Sequence, residues 1–515
     1  MEAKTARPFV FMADLTVTRG RLQKKIPAGS IFSLVMEKGG KLSGYLVDTF
    51  ENLLLKAGKI LFDVNDTLVL VDLRSGDTVE QGITGAWRFA DQLPDGPVTE
   101  KLRKITTTRA FLPVGKVKFR LDSGLLLDDE EKTLARFRQT VLKSGEKHLT
   151  LGVTAMLRGY AHEHQMLVEI LQKSGVQSCD NFEDLYRQLG IRDSSYTSKP
   201  GLVFAASSTV KNAAVIIIRT LLAVARQNEA GAAADIDSEF LHDYRVSLRK
   251  VRSVLSLFKG AFSRKETEAL QKSFAELMRP TSRLRDLDVY LMRTEEYMAM
   301  VPESAREGVG ILFSFLEDER ELALRTVVAC LRSEDYRIQM EALTRKFSRA
   351  NNLKNGLDSS RRAHEVGSSL IYKRYRKVCR IASEMDKSTP SSEVHQLRIH
   401  CKKLRYLMEF FAPFFPEEAI GLLVRNLKKM QDNLGNFNDY SVQQHFLQKI
   451  LKEKMDAFAD YELTVSNSIG ALTAMLHQKQ LAERQKVKNN FIQFNSVETR
   501  NLFKQLFSSK KGDAQ

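Results

Sequence analysis

The feature that most constrains this chain is that part of it occurs twice. Leu241-His242-Asp243-Tyr244-Arg245-Val246-Ser247-Leu248-Arg249-Lys250-Val251-Arg252 returns 153 residues later as Val394-His395-Gln396-Leu397-Arg398-Ile399-His400-Cys401-Lys402-Lys403-Leu404-Arg405. The same offset relates Phe258 to Phe411 and Asp286 to Asp439, with no gap required. A register held over that span calls for two copies of one supersecondary unit. The simplest fold that accommodates them is a duplicated helical bundle with pseudo-two-fold symmetry.

Proline and glycine set this part off from what precedes it. Seventeen of the 28 glycines lie before residue 200, whereas 303–389 and 417–515 contain no proline. Both residues punctuate turns and break helices, so the first part reads as turn-rich and the second as helical. In the first part, β-rich runs at Val10–Val17, Ile31–Val35, Lys59–Phe62, Thr67–Leu73 and Lys116–Leu121 are separated by turn residues. They predict an antiparallel sheet. A mixed segment opens at Asp128, and a helix is expected over Ala155–Leu171. The expected organisation is a sheet domain at 1–175, a linker at 176–200 and an all-helical domain at 201–510 with halves near 201–350 and 360–510. The fold class is thus α+β followed by all-α.

The net charge of +16 suggests an acidic partner. Residues 1–175 hold 26 basic and 21 acidic residues, so most of the surplus lies in the helical part. The four cysteines form no CxxC pair, which fits a reducing cytosol rather than a disulfide or zinc framework. The most apolar run, Ala213–Ala225, is interrupted by Arg219 and too short to span a bilayer. A cytoplasmic protein without a membrane span is expected.

On a helix, His242, Arg245, Arg249 and Arg252 share one face, as do His395, Arg398, Lys402 and Arg405. Lys250 and Lys403 widen each stripe. Stacked like charges repel, and folding needs no such row. One such helix is most simply a solvated face, but the same row kept twice in register points to a ligand. Cations spaced one helical turn apart suit a linear ligand with closely spaced negative charges. Arg offers a planar fork, Lys a compact charge and His a ring donor. After each row, Arg283-Leu284-Arg285-Asp286 aligns with Asn436-Phe437-Asn438-Asp439. Either aspartate can orient a basic side chain or serve as an ordinary helix cap. Tyr372, Tyr375 and Tyr406 near basic residues leave base stacking in a nucleic-acid binder as an alternative.

The twofold H-x-x-R-x-x-x-R/K-R/K-x-R row and the R-D-x-D element after the first copy resemble the CHAD family, the conserved-histidine α-helical domains, over roughly residues 201–510. That resemblance implies a bundle of two pseudo-symmetric halves whose basic surface binds inorganic polyphosphate, and an association with polyphosphate granules. By position, His242, Arg245, Arg249, Lys250, Arg252, Arg283 and Arg285 would contact phosphates, as would His395, Arg398, Lys402, Lys403 and Arg405. The first part is similar to a CYTH domain at Tyr45–Thr49, Leu55, Gly58, Leu127–Thr133 and Leu157–Tyr160. Active CYTH enzymes carry E-x-E-x-K on the first strand, which places a divalent metal and a phosphate. Here that strand reads Phe9-Val10-Phe11-Met12-Ala13-Asp14-Leu15. No triphosphatase or polyphosphate hydrolase activity, no catalytic residue and no cofactor are expected. A divalent cation would enter only if the sheet domain were active. Lys116, Lys118 and Arg120 alternate along one strand, either lining an anion tunnel or forming an exposed basic face.

Overall fold

A computed structural model describes residues 8–27, 29–192, 196–386 and 389–508. The chain divides into two compact units, Met1–Ser198 and Lys199–Gln515.

The first unit is an antiparallel sheet of ten strands: β1 (Val10–Ala13), β2 (Ser33–Lys38), β3 (Leu42–Asp48), β4 (Lys59–Val64), β5 (Thr67–Asp72), β6 (Thr78–Gly82), β7 (Leu112–Leu127), β8 (Thr133–Ser144), β9 (Lys147–Met156) and β10 (Gln177–Ser178). Its order is β10-β1-β9-β8-β7-β3-β4-β5-β6. The long β7 pairs along one edge first with β3 and then with β2. Five helices accompany the sheet: α1 (Arg19–Gln23), α2 (Leu53–Lys56), α3 (Pro97–Arg103), α4 (Ala161–Lys173) and α5 (Leu185–Gln188). β8 and β9 occupy the mixed segment that opens at Asp128, and α4 starts at Ala161, not at the expected Ala155, because Ala155 and Met156 still pair with β8. Residues 176–192, within the expected linker, belong to this unit. β10 pairs with β1, and Phe182, Leu185, Tyr186 and Leu189 are buried in its core.

Strand alternation decides the fate of the basic strand. Val117 and Phe119 turn into a core with Leu46, Phe62, Val71, Leu142 and Leu151, and Phe119 stacks on Phe62 at 3.8 Å. Lys116 and Lys118 therefore fall on the opposite, exposed face. Arg120 is held by the buried carboxylate of Asp122. Asp48, fully buried, accepts from the N–H groups of Thr49, Leu54 and Leu55 and from the Tyr186 hydroxyl. Burial pushes its carboxyl up to about 6. Its role is to hold the start of α2.

The second unit is all helical: α6 (Val210–Ala233), α7 (Ser238–Leu257), α8 (Arg264–Met278), α9 (Ser282–Leu291), α10 (Thr294–Met300), α11 (Arg306–Arg332), α12 (Glu334–Lys346), α13 (Ala363–Ser383), α14 (Ser391–Phe411), α15 (Glu417–Glu453), α16 (Glu462–Phe494) and α17 (Val497–Phe507). None is long and apolar enough to cross a membrane among the described residues. Polar side chains set several starts: Thr209, Asp237 and Ser263 accept first-turn N–H groups of α6, α7 and α8. Arg279-Pro280-Thr281 breaks the first copy between α8 and α9, because proline lacks an N–H and crowds the preceding turn. Its counterpart Asn433 allows α15 to run unbroken.

The duplication is visible in hydrogen bonds. Val210 N–H donates to Arg361 O (2.9 Å) and Ala363 N–H to Ser208 O (2.8 Å), so the bridge between Thr209 and Arg362 joins a residue to its own repeat equivalent. Phe258 and Phe411, another equivalent pair, meet edge to face at 4.8 Å. Such self-matching contacts are what a two-fold axis requires. One core spans both halves. Leu248, Val251, Val254 and Leu255 of α7 are matched by Cys401, Leu404, Leu407 and Met408 of α14.

Candidate functional site: a shared basic face

With the apolar stripes of α7 and α14 turned inward, the basic rows lie on the remaining surface. The two helices meet across the pseudo-two-fold through the Phe258–Phe411 contact and a 3.3 Å ion pair between Lys250 and Glu409. The rows consequently merge. Arg249 of the first row acts electrostatically on Arg245 and Arg285 of its own half and on Arg398 and Lys402 of the other. Burial, then the charges of Arg398 and Arg249, lowers Lys402 to about 8. Arg245, Arg285 and Arg398 are also lowered, each first by burial.

Supporting contacts pre-arrange this face. Nη1 of Arg245 donates to Thr281 Oγ1 (2.6 Å), Ser282 Oγ (3.2 Å) and Met278 O (3.2 Å), at the break made by Pro280. Asp286 pulls on Arg245, and its equivalent Asp439 lies 3.5 Å from Arg398. The two aspartates thus share an orienting role rather than capping helices. Nδ1 of His395 donates to Asn438 Oδ1 at 2.6 Å, leaving Nε2 as the ring position for a ligand. His242 is half-buried at the equivalent place. Nε of Arg398 is buried and has no hydrogen-bond partner among the described residues, a donor that an anion would satisfy.

The twelve expected residues do not form one uniform stripe. His242, Arg245, Arg249, Arg252, Arg285, His395, Arg398 and Lys402 belong to the two rows and their flanks. Arg283 is tied to Glu319 at 2.8 Å and lies over the Phe446 ring. Arg405 pairs with Glu409 at 2.6 Å, and that carboxylate also takes Lys250, so these two cations share one acid and are held away from the rows. Lys403 does not widen the second row. Its cationic neighbours are Arg374, Lys377 and Lys259, a different set from those of Lys402. Tyr375, weighed as a base-stacking platform, is buried flat against Phe503 at 3.9 Å, with its hydroxyl donating to Asn495.

Sequence reasoning missed a second basic set. Nδ1 of buried His400 faces Nη1 of Arg374 at 2.5 Å, and burial together with Arg374, Lys377, Lys403 and Arg380 lowers its imidazole to about 4. The available signal was the run Lys373-Arg374-Tyr375-Arg376-Lys377 on α13.

Fold and site together define a duplicated helical bundle whose two halves share one basic face. Residues 216–448, within the helical unit, match the CHAD domain. Among solved structures, the CHAD domain from the plant Ricinus communis is 22% identical, covering 54% of this chain and 95% of that one with a TM-score of 0.44. PptA from Streptomyces chartreusis is 12% identical, covering 55% and 99%, again with a TM-score of 0.44. Among curated proteins no match is found.

Proposed function

We propose that the helical unit, taken as a domain from about residue 201 to 510, binds inorganic polyphosphate, holding the linear anion along the merged rows of α7 and α14. The observation that carries this reading is Arg249 standing among four cations drawn from both copies, one of which, Lys402, is lowered to about 8. Gathering half-buried cations costs folding free energy, and a polyanion laid across them returns it by supplying the missing counter-charge. Association with the CHAD family is consistent with a polyphosphate ligand. The eight row and flank residues named above are the proposed phosphate contacts. Granules rich in polyphosphate are the expected cellular location.

A mobility-shift titration with long-chain polyphosphate against competing single-stranded DNA tests the choice of polyanion. Polyphosphate should retain the protein at equal phosphate concentration and release it as salt rises. Displacement by DNA would favour a nucleic-acid ligand instead. The sheet unit is read as a CYTH-like domain without hydrolase activity, because its first strand, Val10–Ala13, carries no E-x-E-x-K triplet to place a metal and a phosphate. Phosphate release from tripolyphosphate with Mg²⁺ or Mn²⁺ should stay at background, and clear turnover would refute that reading.

A further inference from the structure

The repeat makes it possible to ask which charges the second half carries that the first does not. On α13 these are Lys373, Arg374, Arg376, Lys377 and Arg380. Their equivalents on α6, 153 residues earlier, are Thr220, Leu221, Ala223, Val224 and Gln227. The two helices begin at equivalent positions, so the comparison requires no realignment. The same asymmetry continues on α14. Lys250 is paired with Glu409, but the position equivalent to Glu409 in the first half is Ser256, so its counterpart Lys403 faces no acid there. Lys403 sits instead beside Arg374, Lys377 and Lys259.

This second surface adjoins a groove of about 1060 Å³ between α13 and the end of α17. Lys373, Arg376, Lys377 and Arg380 line one wall, with Glu365 at the start of the same helix as its one acid, and Leu506 and Phe507 line the other. Lys377 belongs both to that wall and to the surroundings of His400 and Lys403. The four cations of the wall are exposed, and among the described residues their side chains make no ion pair. No acidic residue occurs between Glu365 and Glu384. From Lys373 to Arg380 the wall extends about 10 Å along the helix. Helix α14 thus carries cations on two sides, with Lys402 turned to the central face and Lys403 to α13.

We infer that the track for the polyanion is asymmetric. From the central rows it continues past Lys403 into the α13 groove, so the second half holds a further stretch of phosphates for which the first half has no cations at the equivalent positions. The inference rests on the polyphosphate reading and extends it: long chains engage both surfaces, and short chains only the central one. Arg374 is kept near His400 as the floor of the crossing, since a neutral imidazole accepting from its guanidinium fixes that cation without cancelling its charge.

The test is a titration of the full chain with tripolyphosphate and with long-chain polyphosphate, each at several salt concentrations. It compares wild type, a Lys373→Ser/Arg376→Ser/Lys377→Ser variant and an Arg249→Gln variant. The triple variant should bind long chains at least about tenfold more weakly. The magnitude of its salt dependence should fall by about 2–3, for three lost phosphate contacts. Its affinity for tripolyphosphate should match wild type, whereas Arg249→Gln should weaken both ligands. A triple variant that loses both ligands equally, with an unchanged melting profile, or that matches wild type on long chains, overturns the asymmetric track while leaving the central site standing. Wild type that binds neither ligand overturns the polyphosphate reading itself.

Discussion

Replacing Arg249 with Gln should make the helical unit more stable and a poorer polyanion binder at once. Arg249 is exposed, and its side chain makes no hydrogen bond or ion pair among the described residues, so its removal leaves no partner stranded. What it contributes to the folded state is repulsion, acting on Arg245, Arg285, Arg398 and Lys402. Like-charge neighbours cost about 0.2–0.5 kcal/mol each, so four of them come to about 1–2 kcal/mol. Thermal melts at low salt should show a rise of roughly a few degrees that shrinks as salt screens the repulsion. In a polyphosphate titration the same variant loses one charge-assisted contact. The slope of log affinity against log salt should then drop in magnitude by about 0.7–0.9. A protein for which this face was only a solvated surface balanced by neighbours would show the reverse, a loss of stability with no change in slope. That result would refute the reasoning.

Lys402 predicts a pH dependence. Its folded value of about 8 lies below the ordinary 10.5, so between those limits the unfolded chain holds more protons than the folded one. Stability from this group therefore rises as pH increases through that window. A bound anion restores the charge, so polyphosphate binding above pH 8 should take up a proton and weaken as pH rises; calorimetry in buffers of different ionisation enthalpy reads this, and Lys402→Gln should abolish it. Gly367→Ala places a Cβ 2.6 Å from the Phe411 ring and should cost about 1–3 kcal/mol in urea melts, although alanine is the better helix former. Asp48→Ala strands three buried N–H groups and the Tyr186 hydroxyl, and should destabilise the sheet unit by about 3–5 kcal/mol on chemical denaturation. An effect below one kcal/mol would show that water or a rearranged loop replaces the carboxylate.

The expected β-rich runs coincide with five of the ten strands, β1, β2, β4, β5 and β7, whereas β3 and β6, though also bounded by glycine, are not among them. β8 and β9 escaped because Arg136, Arg138 and Thr residues share them with apolar side chains, and the pairing with β7 overrides that mixed pattern. Tyr186 and Phe182 lay in a segment that looked like a connector because its apolar residues are isolated in sequence, yet they converge in one core. On the helical side, the rows, the repeat and the Asp286/Asp439 pair were all visible as spacings. The capture of Lys250 by Glu409 was not, since Glu409 pairs across the symmetry axis with a cation 159 residues away.

Local periodicity and a constant offset are properties of the chain itself. They determined, before any fold was known, that two equivalent basic helices exist and that their charges stack turn by turn. Whether those helices stand apart or together is decided by how the apolar faces of both halves close on a common core. That closure sets Arg249 beside Arg398 and Lys402, turning two rows into one face. It also turns Lys402 and Lys403, adjacent in sequence, toward different surfaces, because successive residues on a helix are about 100° apart. No reading of spacing along a single helix supplies the identity of what lies beyond it.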